Sequence, residues 1–191
     1  MPYREDAHTD HPISPYAASK KAAELFCYSY HALHGLDTTV FRFFTVYGPG
    51  GRPDMMLFRL VQWIFEGRPV SVYGDGEQSR DFTFVEDIAR GVVAGLKPVG
   101  YEVIGLGSDR PVVLMKVIQL VEELAGKEAI LEFEGRHPAD VPATWADIGK
   151  AEQILGWRPQ TDFREGVGRL IAWYQENREW AREITTRDVA V

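Results

Sequence analysis

Tyr16 and Lys20 place a phenol and an amine four residues apart in the run Ser14-Pro15-Tyr16-Ala17-Ala18-Ser19-Lys20. On a helix, residues at that spacing share a face and their side chains meet. An ammonium beside a phenol favours the phenolate and draws a tyrosine down from its usual value of about 10 toward neutrality, where it can exchange protons. The pair reads as half of an acid/base centre, and the chemistry such a pair serves is redox. Taken alone, the same spacing also describes an exposed lysine beside a half-buried tyrosine on an ordinary helix. His8, His11, His31, His34 and His137 form no metal-binding spacing with carboxylates, and Ser79 and Ser108 have no His/Asp logic nearby. A metal centre and a hydrolase triad therefore find no support.

Positioning these residues requires alternating helices and strands. Ser14 is an N-cap with Pro15 at the first helical position, and the helix runs to Leu33 or His34 and stops at Gly35. Thr38 to Phe44 is a β-branched and aromatic strand, followed by a loop from Thr45 to Pro53. Met55 to Glu66 is an amphipathic helix ended by Gly67. Val70 to Tyr73 and Arg80 to Val85 are short strands flanking the turn Gly74-Asp75-Gly76. Glu86 to Leu96 is a helix, Tyr101 to Leu106 a strand, Leu114 to Ala125 a helix closed by Gly126, and Ala129 to Phe133 a strand. Residues 134–144 read as a loop, and Asp147 caps a short helix ending at Gly156. Asp162 and Glu165 form a capping-box pattern before a last helix, Phe163 to Arg182, whose Phe163, Val167, Leu170, Ile171 and Tyr174 recur at helical spacing. The alternation predicts an α/β fold.

A chain of 191 residues can bury a sizeable core, and its 45% apolar and 26% charged residues are those of a globular protein. The net charge of -7 argues against general nucleic-acid affinity. Cys27 is the single cysteine, so no intrachain disulfide and no cysteine metal cluster can form. The first residues are not a signal peptide, and no apolar run approaches membrane-spanning length, which leaves a cytoplasmic location as the expectation.

With the motifs assembled, Tyr16-x-x-x-Lys20 resembles the catalytic pair of the short-chain dehydrogenase/reductase superfamily. Arg42-Phe43-Phe44-Thr45-Val46-Tyr47-Gly48-Pro49 and Arg80-Asp81-Phe82-Thr83-Phe84-Val85-Glu86-Asp87 narrow the resemblance to its extended branch, the NAD-dependent epimerase/dehydratase family that modifies nucleotide sugars. Thr45 through Gly51-Arg52-Pro53-Asp54-Met55 is most similar to the UDP-glucuronate 4-epimerases. The resemblance covers about residues 1–180. It departs in one respect. Family members begin with a strand, a glycine-rich turn and a helix that hold the NAD pyrophosphate, and carry a catalytic Ser/Thr before the tyrosine. Neither is found here: Gly48, Gly50 and Gly51 are too close together and follow the wrong strand, and Gly105-Leu106-Gly107 lacks the third glycine.

The resemblance therefore implies the C-terminal half of a Rossmann-type doubly wound sheet plus a small α/β substrate-binding lobe, without the N-terminal glycine-rich dinucleotide-binding part. The expected division is a partial Rossmann-type portion over 1–68, a mainly substrate-binding lobe over 69–182 and a tail over 183–191. It implies that Tyr16 is the base and then the acid at sugar C4, and that Lys20 holds the nicotinamide ribose of NAD and tunes Tyr16. It implies a UDP-sugar substrate held by Thr45, Arg52, Tyr73, Arg80 and Asp140, with Arg136 and His137 near a phosphate. Asp87 is read as stabilising its helix N-terminus. The other reactions that the resemblance leaves open are a 4,6-dehydratase, a decarboxylase, or a non-catalytic UDP-sugar binding module. An exposed sheet edge and the outward candidates Phe26, Tyr30 and Leu33 predict a homodimer or other self-association.

Overall fold

The computed structural model describes residues 1–135 and 141–186. Helix α1 spans Pro15–His34: the Ser14 hydroxyl accepts from the Ala17 N–H, and Gly35 closes the helix in the left-handed conformation (φ 64°). Strand β1, Thr38–Phe43, leads through Phe44 into a short second strand, β2, Thr45–Tyr47. This corrects the expectation of a loop starting at Thr45. The chain stays extended there because it changes partner: β1 runs parallel to β5 (Tyr101–Leu106), whereas β2 runs parallel to β4 (Ser79–Phe84).

Helix α2, Met56–Glu66, precedes β3, Pro69–Tyr73, and β4 leads directly into α3, Val85–Ala94. After β5 come a three-residue strand β6, Pro111–Val113, helix α4, Leu114–Ala125, and β7, Ile130–Glu134. Strand β8, Ala143–Thr144, lies in the stretch expected to be loop; it and β6 are short segments whose strand character comes from pairing with β4. Helix α5 spans Gly149–Leu155. The expected long terminal helix breaks at Asn177 into α6, Phe163–Glu176, and α7, Arg178–Ala181. The Asn177 side chain donates to the Trp173 carbonyl (2.9 Å), a local bond that competes with helix continuation.

Two apolar clusters hold these elements. The larger gathers Leu57, Leu60, Val61 and Ile64 of α2, Val70 and Val72 of β3, Val117, Ile118 and Val121 of α4, and Val167, Leu170, Ile171 and Tyr174 of α6. The helical spacing of the last group is thus the spacing of a buried stripe. The smaller cluster joins Ile88, Ile104, Leu106, Ala151, Leu155 and Trp157, with Phe41 and Val46 against it. Helix α1 belongs to neither cluster. None of its residues is buried, and Tyr16, Phe26, Tyr30 and Leu33 are among its exposed side chains. No helix among the described residues is long and apolar enough to cross a membrane.

Candidate active site

Tyr16 and Lys20 lie on the first turns of α1, beyond the cap made by Ser14. The expected meeting of the two side chains is present: Lys20 Nζ sits over the phenol ring, 5.3 Å from its centroid. Tyr16 is 71% exposed, so the face of the pair is open to a bound molecule.

Arg52 lies in the loop between β2 and α2. Gly48 and Gly50 adopt positive φ there, and the Gly51 N–H closes a turn on the Gly48 carbonyl (3.2 Å). At Gly48 a side chain would strike Val85 at 2.6 Å, so glycine is required by space as well as by conformation. The guanidinium is held above its ordinary pKa first by its hydrogen bond to Asp54 and then by the charge of the same carboxylate. Asp54 is the carboxylate partner of Arg52, and the Arg-x-Asp spacing in a tight loop is its only sequence signal.

Thr45 opens β2 in register with Phe82 of β4. Arg80 stands two residues earlier on β4, and alternate strand residues share a face, so Thr45 and Arg80 lie on one side of the sheet about 7–8 Å apart along the backbone. The Arg80 guanidinium donates to the Ser79 carbonyl (2.8 Å). Tyr73 ends β3, half-buried, and its carbonyl accepts from the Gln78 side chain (3.0 Å) across the turn that leads to β4. Asp140, with Arg136 and His137, falls outside the described residues. The structure thus brings Tyr16 and Lys20 together and places Thr45 and Arg80 on a shared face of the sheet, with Arg52 in the loop between β2 and α2.

The acidic residues of the second motif are structural. Asp81 is fully buried and accepts from three backbone N–H groups, those of Ser108 (2.6 Å), Asp109 (3.2 Å) and Ala146 (2.9 Å). Asp87 pairs with Arg90 on its own helix and accepts from the N–H groups of Gln160 and Thr161, both at 3.0 Å. It therefore anchors the segment entering α6, a role beyond the expected one at its helix N-terminus. The middle of α1 is fixed by a two-armed ion pair from Arg42 to Glu24 (2.7 and 2.8 Å), and Arg42 also donates to the Glu5 carbonyl (3.3 Å). The Glu5 carboxylate in turn accepts from the Gly105 N–H (2.7 Å). These bonds lay the segment ahead of α1 across the ends of β1 and β5. A separate cleft of about 760 Å3, lined by Trp63, Arg68, Ser71, Glu132 and the 182–186 segment, includes none of the candidate residues.

The parallel strand pairs and their linking helices, with a tyrosine and lysine on one helix face, match a defined class. Residues 1–107 fit the NAD dependent epimerase/dehydratase family, and the chain belongs to that family. It is 51% identical over 184 residues to a UDP-glucuronate 4-epimerase of Thermodesulfobacterium geofontis, an alignment covering 96% of this chain and 57% of the relative. A probable UDP-glucuronate 4-epimerase of Rhizobium meliloti is 38% identical, with 93% of this chain and 58% of that protein covered. Among solved structures, MoeE5 in complex with UDP-glucuronic acid and NAD superposes with a TM-score of 0.87 at 36% identity, over 92% of this chain and 60% of that one. The UDP-glucuronic acid 4-epimerase from Bacillus cereus, in complex with UDP-glucuronic acid and NAD, gives 0.86 at 34% identity, over 93% of this chain and 57% of that one. The chain therefore spans a little over half the length of the relatives it matches.

Proposed function

We propose that this chain is the catalytic-helix and sugar-nucleotide portion of an NAD-dependent UDP-glucuronate 4-epimerase. The observation that carries the reading is the Lys20 ammonium over the Tyr16 ring, in a chain 51% identical to a UDP-glucuronate 4-epimerase. The exposed hydroxyl of Tyr16 and the adjacent amine of Lys20 are the donors and acceptors that a ribose diol can engage, so these residues fit the nicotinamide side of NAD. When bound, NAD would supply acceptance and return of a hydride at sugar C4.

The remaining work falls to side chains of this chain. Tyr16 takes the proton of the sugar C4 hydroxyl and later returns it. Lys20 holds the ribose beside Tyr16. Thr45 and Arg52 hold the sugar carboxylate, for which a guanidinium fork has the right geometry. Arg80 pairs with the diphosphate, Tyr73 lies beside the nucleotide and Asp140 accepts from the uridine ribose hydroxyls. The isolated chain is expected not to turn over, and two copies are expected to associate through the apolar side of α1, where Phe26 and Leu33 are 68% and 78% exposed.

Calorimetry with UDP-glucuronate tests the binding half of this reading. Heat of binding is expected for the chain, weakened about tenfold in Arg80→Ala, the scale of losing one charge-assisted contact. Folded protein that gives no heat with UDP-glucuronate or UDP would refute it. Epimerisation of UDP-glucuronate by the pure chain with added NAD would refute the expected inactivity.

A further inference from the structure

The cleft of about 760 Å3 beside the end of α2 is the size of a small-molecule site and is built from fixed walls. Its floor is the outer face of the β3–β7 pair. Val70, Val72 and Leu131 turn to the core, so their neighbours Ser71 and Glu132, which stand in register, turn outward. A second wall is the 182–186 segment. The Gln62 amide donates to the Ile184 carbonyl (2.9 Å), and the Thr186 hydroxyl donates to the Gln62 oxygen and accepts from the Trp63 indole (2.9 Å). The Arg59 guanidinium lies over the Trp63 ring, 4.7 Å from its centroid. Arg68, just after α2, donates to the Arg182 carbonyl (3.1 Å) and ties the end of the helix to the same segment. Bonds within the protein thus set the shape of the cleft, and little ordering is left for a ligand to impose.

The charges of the cleft select the occupant. Arg68, Glu132, Arg182 and Glu183 line it, and Arg182 and Glu183 are paired with each other (3.1 Å). Arg68 has one N–H group on a carbonyl, and its other donors have no partner among the described residues. The Glu132 carboxylate and the Ser71 hydroxyl have none either. Arg68 stands three residues before Ser71, the register partner of Glu132, a separation of about 10 Å along a strand. An unmatched guanidinium and an unmatched carboxylate, set apart in a cleft whose charges sum to zero, complement a molecule that carries both charges and is itself neutral. A dianion would meet two carboxylates there, and a simple cation two guanidinium groups. A single amino acid holds its charges too close together to reach both ends. A short peptide reaches both, its backbone can hydrogen-bond Ser71, and Trp63 and Ile184 offer apolar surface to a side chain. We propose that this cleft binds short peptides by their two termini, the carboxylate on Arg68 and the ammonium on Glu132. The inference stands apart from the proposed function, whose residues lie outside the cleft.

Titration with glycyl-leucine tests it, read by the Trp63 indole N–H resonance of the isotope-labelled chain, assigned with Trp63→Phe. The dipeptide is expected to shift that resonance saturably. N-acetyl-glycyl-leucine lacks the ammonium and glycyl-leucinamide lacks the carboxylate. Each is expected to bind about tenfold more weakly, the scale of one charge-assisted contact. Arg68 and Glu132 are exposed, so Arg68→Gln and Glu132→Gln leave the core intact. Each is expected to weaken glycyl-leucine by the same factor. Arg68→Gln should also bind the dipeptide and its amide equally, and Glu132→Gln should bind the dipeptide and its acetylated form equally. A saturable shift with those preferences upholds the proposal. No saturable shift overturns it, as do equal affinities of the native chain for all the peptides, or variants that bind like the native chain. Displacement of the dipeptide by UDP-glucuronate would put the peptide in the sugar-nucleotide site and overturns it too.

Discussion

Asp54 closes a two-armed ion pair on Arg52, with Nε donating to Oδ1 at 3.0 Å and a terminal nitrogen of the guanidinium bonded to Oδ2. Both side chains are solvent-exposed. A carboxylate already occupies the fork that the proposed function assigns to the sugar acid. Exposed pairs of this kind are weak, because solvent screens them and ordering two long side chains costs entropy.

The Asp54→Asn variant should therefore bind UDP-glucuronate about twofold to fivefold more tightly than the native chain, the gain expected when a screened competitor is removed. Its affinity for UDP-glucose, which has no acid to place on Arg52, should be unchanged. Titration calorimetry with both nucleotides reads the difference, and equal changes for the two would dissociate Arg52 from carboxylate recognition.

Asp81 gives a prediction of opposite character. It is buried and holds three N–H groups drawn from two distant segments, 108–109 and 146. Asp81→Ala strands those donors away from water, and each unsatisfied buried donor costs on the order of 1–3 kcal/mol. The expected loss is about 3–5 kcal/mol, a large fraction of the stability of a domain. Chemical denaturation should show a midpoint shifted far downward, and a shift of a few tenths of a molar in urea would contradict the clamp.

The contrast between these two aspartates shows what the sequence made legible. Helix α1, its cap at Ser14 and its stop at Gly35 follow from local chemistry, and so does the meeting of Tyr16 with Lys20. Strands β5 and helix α4 were readable to the residue because β-branched and helical periods change sharply at their ends. The strands β2, β6 and β8 were not legible, since two or three residues carry no period and owe their extension to β4. The roles of Asp81 and Asp87 were hidden for the same reason. Their partners lie 27 to 74 positions along the chain, and nothing local marks a carboxylate as the anchor of a remote loop.

Acid should weaken the seating of α1 before it unfolds the larger core. Hydrogen bonds from Arg42, ahead of a smaller opposing effect of burial, hold the Glu24 carboxyl below its ordinary value of 4.5. A carboxylate lowered in the folded state contributes stability that is complete above its unfolded pKa and is lost as pH falls through the folded one. The loss thus begins near pH 4.5 and deepens below it. Glu24→Gln should lower stability at pH 7 and flatten the dependence on pH between about 5 and 3 relative to the native chain. Thermal melts of both proteins across that window provide the measurement, and parallel curves would exclude Glu24 as a source of acid sensitivity.

The chain's last described turn is pinned by a buried amide. Gln62 on α2 is inaccessible to solvent; its nitrogen donates to the carbonyls of Ala181 and Ile184, both at 2.9 Å, and its oxygen accepts from the Thr186 hydroxyl. The Trp63 indole donates to that same hydroxyl (2.9 Å), and Arg178 reaches back to Glu66 (2.8 Å). Both polar atoms of the Gln62 side chain are thus spent on the end of α7 and the residues after it. Gln62→Leu keeps much of the volume but leaves two carbonyls and a hydroxyl facing an apolar group, a cost of about 2–4 kcal/mol. Because these contacts fix only the terminal segment to α2, the penalty is escaped when residues beyond Arg178 peel away while the rest stays folded. Limited proteolysis should then cut Gln62→Leu near Arg182 at least about tenfold faster than the native chain, the ratio that 1.4 kcal/mol of lost local stability produces. The α4 amides should keep their hydrogen-exchange protection. Loss of protection throughout both would instead make Gln62 a keystone of the whole core.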